Sequence, residues 1–282
     1  MQASARGVVT DWPVWTAPAA LVGGLLLAAF GGLLVDLPAA AFGVNITSSH
    51  IPGGLEIADT VVQDVGFVLA AVFFAQMGGR KARAWQFGLR PTRFWTALWL
   101  VVLTLIGFLI FSLIWAAVVN AEKEKLLEQL GTNEGTTLLL LSAGLTCVVA
   151  PVCEELLFRG FIFTALRNWR GMWPAAVTTA LVFGAVHAGS APAVDLVPLA
   201  GLGLGLCLLY RYTGSLYPCI AVHSLNNSLA FGSLEDWGWQ IPVLMLAALA
   251  TIALLAFAAT CVGVISAEPS PSSGAPTVIP SA

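Results

Sequence analysis

TTLLLLSAGLTCVVAPVCEELLFRGFIFTALRNW, residues 136–169, is one long apolar run interrupted near its middle by Glu154, Glu155 and Arg159, with charge returning only in its last turn. About 20 apolar residues carry a helix across roughly 30 Å of hydrocarbon, so the run is long enough to span a membrane with length to spare. Ionisable groups at the centre of such a span are costly, and they persist where they pair with one another or perform a task. Both features together predict a polytopic membrane protein with a polar site inside it.

The rest of the chain agrees. Of its 282 residues, 58% are hydrophobic and only 10% are charged, against about 25% charged in a soluble domain. The pattern of apolar runs predicts an all-α fold of about eight transmembrane helices, near 15–35, 57–77, 94–119, 136–169, 173–190, 195–210, 214–232 and 240–264. The first of these is too long for the hydrophobic core of a signal peptide and is read as a span. Residues 1–135 hold three helices and their loops, 136–266 form a helical core, and 267–282, rich in Pro, Ser, Gly and Ala, form a disordered tail. The five cysteines lie in or beside apolar runs without metal or disulfide spacing and are read as packing residues.

Charge asymmetry sets the expected orientation. Arg6, Arg80, Lys81, Arg83, Arg90, Arg93, Arg167, Arg170 and Arg211 all fall on one side of the predicted topology, which the positive-inside rule makes cytoplasmic, with both termini. Asp36, Glu56, Glu235 and Asp236 fall on the other, as does a mixed segment from Glu122 to Glu134. Most of the ten tryptophans lie near span ends, as interfacial anchors do. No retention signal is present, which points to a prokaryotic plasma membrane. No Walker loop, dinucleotide fingerprint or basic face is present, so nucleotide and nucleic-acid partners are excluded.

The intramembrane polar groups fall into a pattern. Residues four apart share a helix face, so Glu155 pairs with Arg159 while Glu154 points elsewhere. His187 follows in FGAVH; His223 and Asn227 share a face in HSLNN, with Asn226 pointing away. Glu154 and His187 lie roughly 14 residues, or about 21 Å, from the turn that joins their helices, and His223 and Asn227 reach about 15 and 20 Å above the same membrane face. A single histidine in a span is commonly an interhelical hydrogen bonder, whereas four polar groups in one layer make a site. Pro151 is expected to kink its helix and free backbone carbonyls beside Glu154. Asp195 is read as a helix N-cap, and Asp59 and Asp64 as carboxylates near an interface without evident partners.

These residues carry a resemblance. Glu154-Glu155-x-x-x-Arg159, Phe183-x-x-x-His187 and His223-x-x-x-Asn227 resemble the three motifs of the CAAX-protease and bacteriocin-processing family of intramembrane endopeptidases, and in particular its CAAX prenyl protease type 2-like members. The resemblance implies hydrolysis of a peptide bond in a membrane-associated, peptide or lipidated protein substrate, prenylated at a CAAX terminus in some members. It implies that Glu154 and His187 activate water and that His223 and Asn227 stabilise the oxyanion, with Glu155 and Arg159 in support. Zinc held by Glu154, His187 and His223 is the alternative implied by metal-dependent accounts of the family; with no HExxH in the chain, a metal-free glutamic mechanism is favoured and no cofactor is expected. Two other classes could use the same polar layer, a non-catalytic immunity or scaffold protein and a proton-coupled transporter, although the chain lacks the repeat symmetry of transporters.

Overall fold

The computed structural model describes residues 10–46, 51–77, 79, 81–119 and 135–265. Among them are eight long helices, α1 (Thr16–Ala41), α2 (Gly53–Gln76), α3 (Phe94–Val119), α4 (Thr136–Arg170), α5 (Met172–Ala185), α6 (Leu196–Thr213), α7 (Leu216–Leu234) and α8 (Gln240–Cys261), and no strand. Arg6, Arg80, the 122–134 segment and the 267–282 tail lie outside the described residues.

The protein is an all-α, multi-pass membrane protein. Each helix matches a predicted span to within a few residues, with two qualifications. Six of the eight are long and apolar enough to cross a bilayer. The other two are α5, whose 14 residues extend only about 21 Å, and α7, whose apolar character is diluted by His223, Ser224, Asn226, Asn227 and Ser228. Large apolar side chains on α1, α3 and α8, among them Phe30, Leu103, Leu113, Leu246 and Phe257, are more than 60% exposed. Such a surface would drive association in water and suits contact with lipid tails.

Close packing depends on glycine where helices cross. Gly24 of α1 meets the Phe67 ring of α2, and Gly203 of α6 lies against the backbone of Ala180 in α5. Between α2 and α3, Gly88 takes φ +90° under the Tyr210 ring, a conformation and a space that only glycine fits. Tyr210 Oη then donates to Phe87 O at 3.1 Å.

The basic loops are knitted together at one face. Arg90 Nε donates to Gly214 O (2.8 Å), Ser215 Oγ to Arg90 O (2.7 Å), and Leu216 N to Gly88 O (2.8 Å), tying the 88–93 loop to the α6–α7 turn. Asn168 Nδ2 donates to Thr10 O at 2.7 Å, fixing the start of the described chain beside the α4–α5 turn. Gly171 makes that turn at φ +79°, at the predicted midpoint between Glu154 and His187. Trp12 departs from the reading of the tryptophans as interfacial anchors: it is 4% exposed and packs on Phe87 and Phe161, because the chain folds in under α4 before α1 begins.

Candidate active site

The site is built around the irregular winding of α4. Residues Leu145–Val149 and Leu156–Phe163 are π-helical, either side of Ala150–Glu155. In the first stretch Ala150 N–H donates to Leu145 O, five residues back. The next donor in that register, to Thr146 O, would be residue 151, and proline has no N–H. The same proline deprives Cys147 O of its ordinary i+4 donor. Helix α7 supplies both: Asn227 Nδ2 donates to Thr146 O at 2.9 Å and Ser224 Oγ to Cys147 O at 2.6 Å. Pro151 thus frees the two carbonyls on which the histidine-bearing helix docks.

The three polar residues of α4 separate as their spacing predicts. Arg159 and Glu155 form an ion pair of 2.7 Å, both fully buried. Arg159 also donates to Gly203 O at 3.2 Å, and its guanidinium lies 4.3 Å from the Phe183 ring centroid, a favourable cation–π placement. Glu155 does more than balance this charge, because its Oε1 lies 2.9 Å from His223 Nδ1. The acid therefore links α4 to α7.

Glu154 points the other way. Its Oε2 is 4.0 Å from His187 Nε2 and 4.0 Å from His223 Nε2, and has no hydrogen-bond partner. Helix α5 ends at Ala185, so His187 stands in the turn just beyond it, and its Nδ1 lies 2.7 Å from Phe183 O. A carbonyl only accepts, so His187 Nδ1 carries the proton and Nε2 is left as the basic nitrogen of the neutral ring. Facing a carboxylate, His223 Nδ1 is likewise the donor, and its Nε2 bears hydrogen only in the doubly protonated ring, whose charge Glu155 offsets. Both imidazoles aim Nε2 at Glu154.

Glu154, His187, His223 and Asn227, the four predicted site residues, all line one cavity of about 830 Å³. Residues 136–229, which contain all four, match the family model of the Rce1-like type II CAAX prenyl endopeptidases. This segment is an Rce1-like domain. Neither the curated proteins nor the solved structures contain a match to the chain. The Rce1-like domain holds the three predicted motifs and the whole of the four-residue polar layer, while α1, α2 and α3 complete the cavity wall through residues such as Leu25, Gln63, Phe67 and Phe108.

Three sequence readings are corrected. Asn226 does not point away: it lines the cavity and donates to Asn227 Oδ1 at 3.3 Å. Asp195 stands at the N-cap position of α6 but makes no capping hydrogen bond, and it lines the cavity mouth instead. Asp64 is not interfacial but 1% exposed in the middle of α2, near enough to Glu154 for their charges to interact. Ser224 was not singled out in the sequence; its spacing of three from Asn227 and its place one turn after Ile220 were the available signals.

Zinc bonds oxygen and nitrogen at about 2.0–2.2 Å in a tetrahedron, which places neighbouring donors about 3.4 Å apart. The two 4.0 Å separations at Glu154 exceed that, and among the described residues no group of three His, Cys, Asp or Glu is close enough to hold a metal ion. As placed, these donors stand wider apart than a zinc shell, and the chemistry below draws on no metal. What it does offer is an unpartnered carboxylate oxygen, two imidazole nitrogens and a side-chain amide around one water-accessible space.

Proposed function

We propose that this Rce1-like protein is an intramembrane endopeptidase that hydrolyses a peptide bond in a membrane-associated substrate, CAAX-type prenylated chains among the candidates, by a metal-free glutamic mechanism. The observation that carries the proposal is the Glu154 carboxylate, unpartnered and equidistant from two Nε2 atoms inside a cavity. The catalytic unit is residues 136–266, with α1, α2 and α3 walling the cavity. Its setting is a prokaryotic plasma membrane.

The reaction follows from which atoms are free. A water about 2.8 Å from Glu154 Oε2 and from His187 Nε2 fits their 4.0 Å gap. Glu154 takes a proton from it as the oxygen attacks the scissile carbonyl, with His187 accepting a hydrogen bond from the same water. The oxyanion of the tetrahedral intermediate is held by His223 Nε2–H of the doubly protonated ring and by the second hydrogen of Asn227 Nδ2, the first being committed to Thr146 O. Collapse breaks the C–N bond, and the departing amine takes the proton from Glu154. The products are a carboxylic acid and an amine, and no covalent enzyme intermediate forms.

The test is cleavage of a farnesylated CAAX peptide and of a membrane-peptide library by purified wild type and Glu154→Ala in detergent, with and without chelator. Activity that survives chelator and disappears in Glu154→Ala is the expected result. Absence of cleavage by the wild type would favour the non-catalytic scaffold reading, and peptide-independent proton flux requiring Glu154 would favour the transporter.

A further inference from the structure

The cavity has a direction. Its lining includes Glu154, His223 and Phe67, near the middle of their helices, and otherwise Gln63, Asp59 and Glu56 along α2, Ser112 and Trp115 along α3, and Ser190 and Asp195 before α6. All of these lie toward the same ends of their helices. That is the face of the α7–α8 loop with Glu235 and Asp236, opposite the loops that carry Lys81, Arg83, Arg90, Arg93, Arg167, Arg170 and Arg211.

The other direction is closed. Between the Glu154 layer and the basic loops stand Leu157, Phe158, Phe161, Phe163, Phe183 and Tyr210, none more than 2% exposed, with the Arg159–Glu155 pair embedded among them. The plug runs along α4 from Leu157 to Thr164. Interiors packed in this way contain few voids larger than a water molecule. A peptide coming from the basic face would have to displace that core.

We infer that the Rce1-like site receives its substrate only from the acidic face, which the charge asymmetry of the loops makes extracytoplasmic. Resting on the endopeptidase reading, this narrows the substrate to a peptide whose scissile bond is presented on the extracytoplasmic side, such as the outer end of a membrane-spanning segment or an exported chain anchored in the outer leaflet. The mouth is also open sideways, since α2 and α3 both line the cavity yet pack against each other at most marginally among the described residues. A segment lying in the bilayer can therefore reach Glu154 between those two helices. A cytoplasmic C-terminus would meet the plug.

The test is thiol accessibility from each side of the membrane, using the full chain with Cys153 and Cys261 replaced by alanine; Cys147, Cys207 and Cys219 are buried. Single reporters are Asn226→Cys in the cavity, with Leu229→Cys as a second position there should the first fail to fold, Gly238→Cys on the acidic side and Lys81→Cys on the basic side. A small, charged, membrane-impermeant thiosulfonate is applied to right-side-out or to inverted vesicles. Block of the cavity and Gly238→Cys reporters in right-side-out vesicles, and of Lys81→Cys alone in inverted ones, is the expected pattern. Cavity reporters that label together with Lys81→Cys, that label from neither side, or that label with Gly238→Cys from the cytoplasmic side would each overturn the inference. The labelling pattern does not depend on turnover, so an inactive protein in the detergent cleavage assay would refute the peptidase reading and leave sidedness separately decided.

Discussion

Arg159→Met removes the cation from a fully buried cluster and leaves the Glu155 carboxylate without its 2.7 Å partner. His223 Nδ1 is the remaining hydrogen bond to that oxygen, and Glu155 Oε2 has none. Breaking a buried pair by deleting one member costs about 3–5 kcal/mol, because the survivor loses its strongest partner in a low-dielectric interior. The contact of the guanidinium with the Phe183 ring and its bond to Gly203 O are lost in the same step. At about 2–4 °C per kcal/mol for a chain of this size, the melting temperature of the detergent-solubilised protein should fall by roughly 10 °C. Glu155→Gln combined with Arg159→Met should recover part of that loss, since the amide still accepts from His223 Nδ1–H and no carboxylate is left without its guanidinium partner, giving a coupling of about 1–3 kcal/mol. Thermal unfolding followed by the exposure of buried thiols measures Arg159→Met, Glu155→Gln and the double variant. A single mutant that melts within 2 °C of wild type, or a double mutant worse than the sum of the singles, would refute the reasoning that the Arg159–Glu155 pair is an obligate buried unit.

Pro151→Ala should raise or preserve stability, since a helix interior favours alanine by about 3 kcal/mol. Its new N–H competes for Thr146 O or Cys147 O and loosens the docking of Asn227 and Ser224, so kcat should fall by up to about tenfold, the worth of one to two hydrogen bonds, with KM unchanged; steady-state kinetics beside a melting curve would separate the two effects. Gly184→Val should destabilise by about 1–3 kcal/mol through overpacking, because even a Cβ at this position would stand 2.6 Å from Leu196 O and 3.0 Å from Ala200 Cβ; a matching drop in melting temperature is the check. Treatment with a strong zinc chelator should leave the cleavage rate unchanged, whereas loss restored by added zinc would show that the site closes around a metal. Asn227→Asp should lower kcat far more than KM, because it deletes an amide donor proposed to contact the oxyanion, and kinetics with the fastest-cleaved peptide would measure it.

The architecture was legible because hydropathy over windows of about 20 residues reports directly on lipid contact, and every predicted span coincides with a helix. The polar layer was legible for a related reason, since rise per residue converts sequence distance from a turn into membrane depth, and Glu154, His187, His223 and Asn227 do share one cavity. Helix phase also separated Glu155, paired with Arg159, from Glu154. It failed for Asn226, whose amide reaches the cavity by bonding to its own neighbour, a contact that a face-by-face reading of a regular helix excludes. Asp64 was misplaced because nothing local in α2 signals that α4 will lie beside it; the pairing of elements distant in sequence decides that. The π-turns of α4 were likewise invisible as such, although the proline that produces one of their consequences was recognised as a source of freed carbonyls. Asp195 had the residue type and position of a cap, but its side chain turns to the cavity instead of the α6 N–H groups.

The central claim is that Glu154 is the general base of a peptidase, and it is tested most directly by Glu154→Gln, which preserves shape and removes the proton-accepting charge. Purified wild type and variant would be compared on the same peptide in detergent, with the new amine and carboxyl termini identified by mass spectrometry and the fold checked by melting temperature. The account expects cleavage at one peptide bond by the wild type and a loss of about 10²-fold or more in the variant, the worth of a positioned general base, with an unchanged melting temperature. Equal cleavage by the two proteins would contradict it.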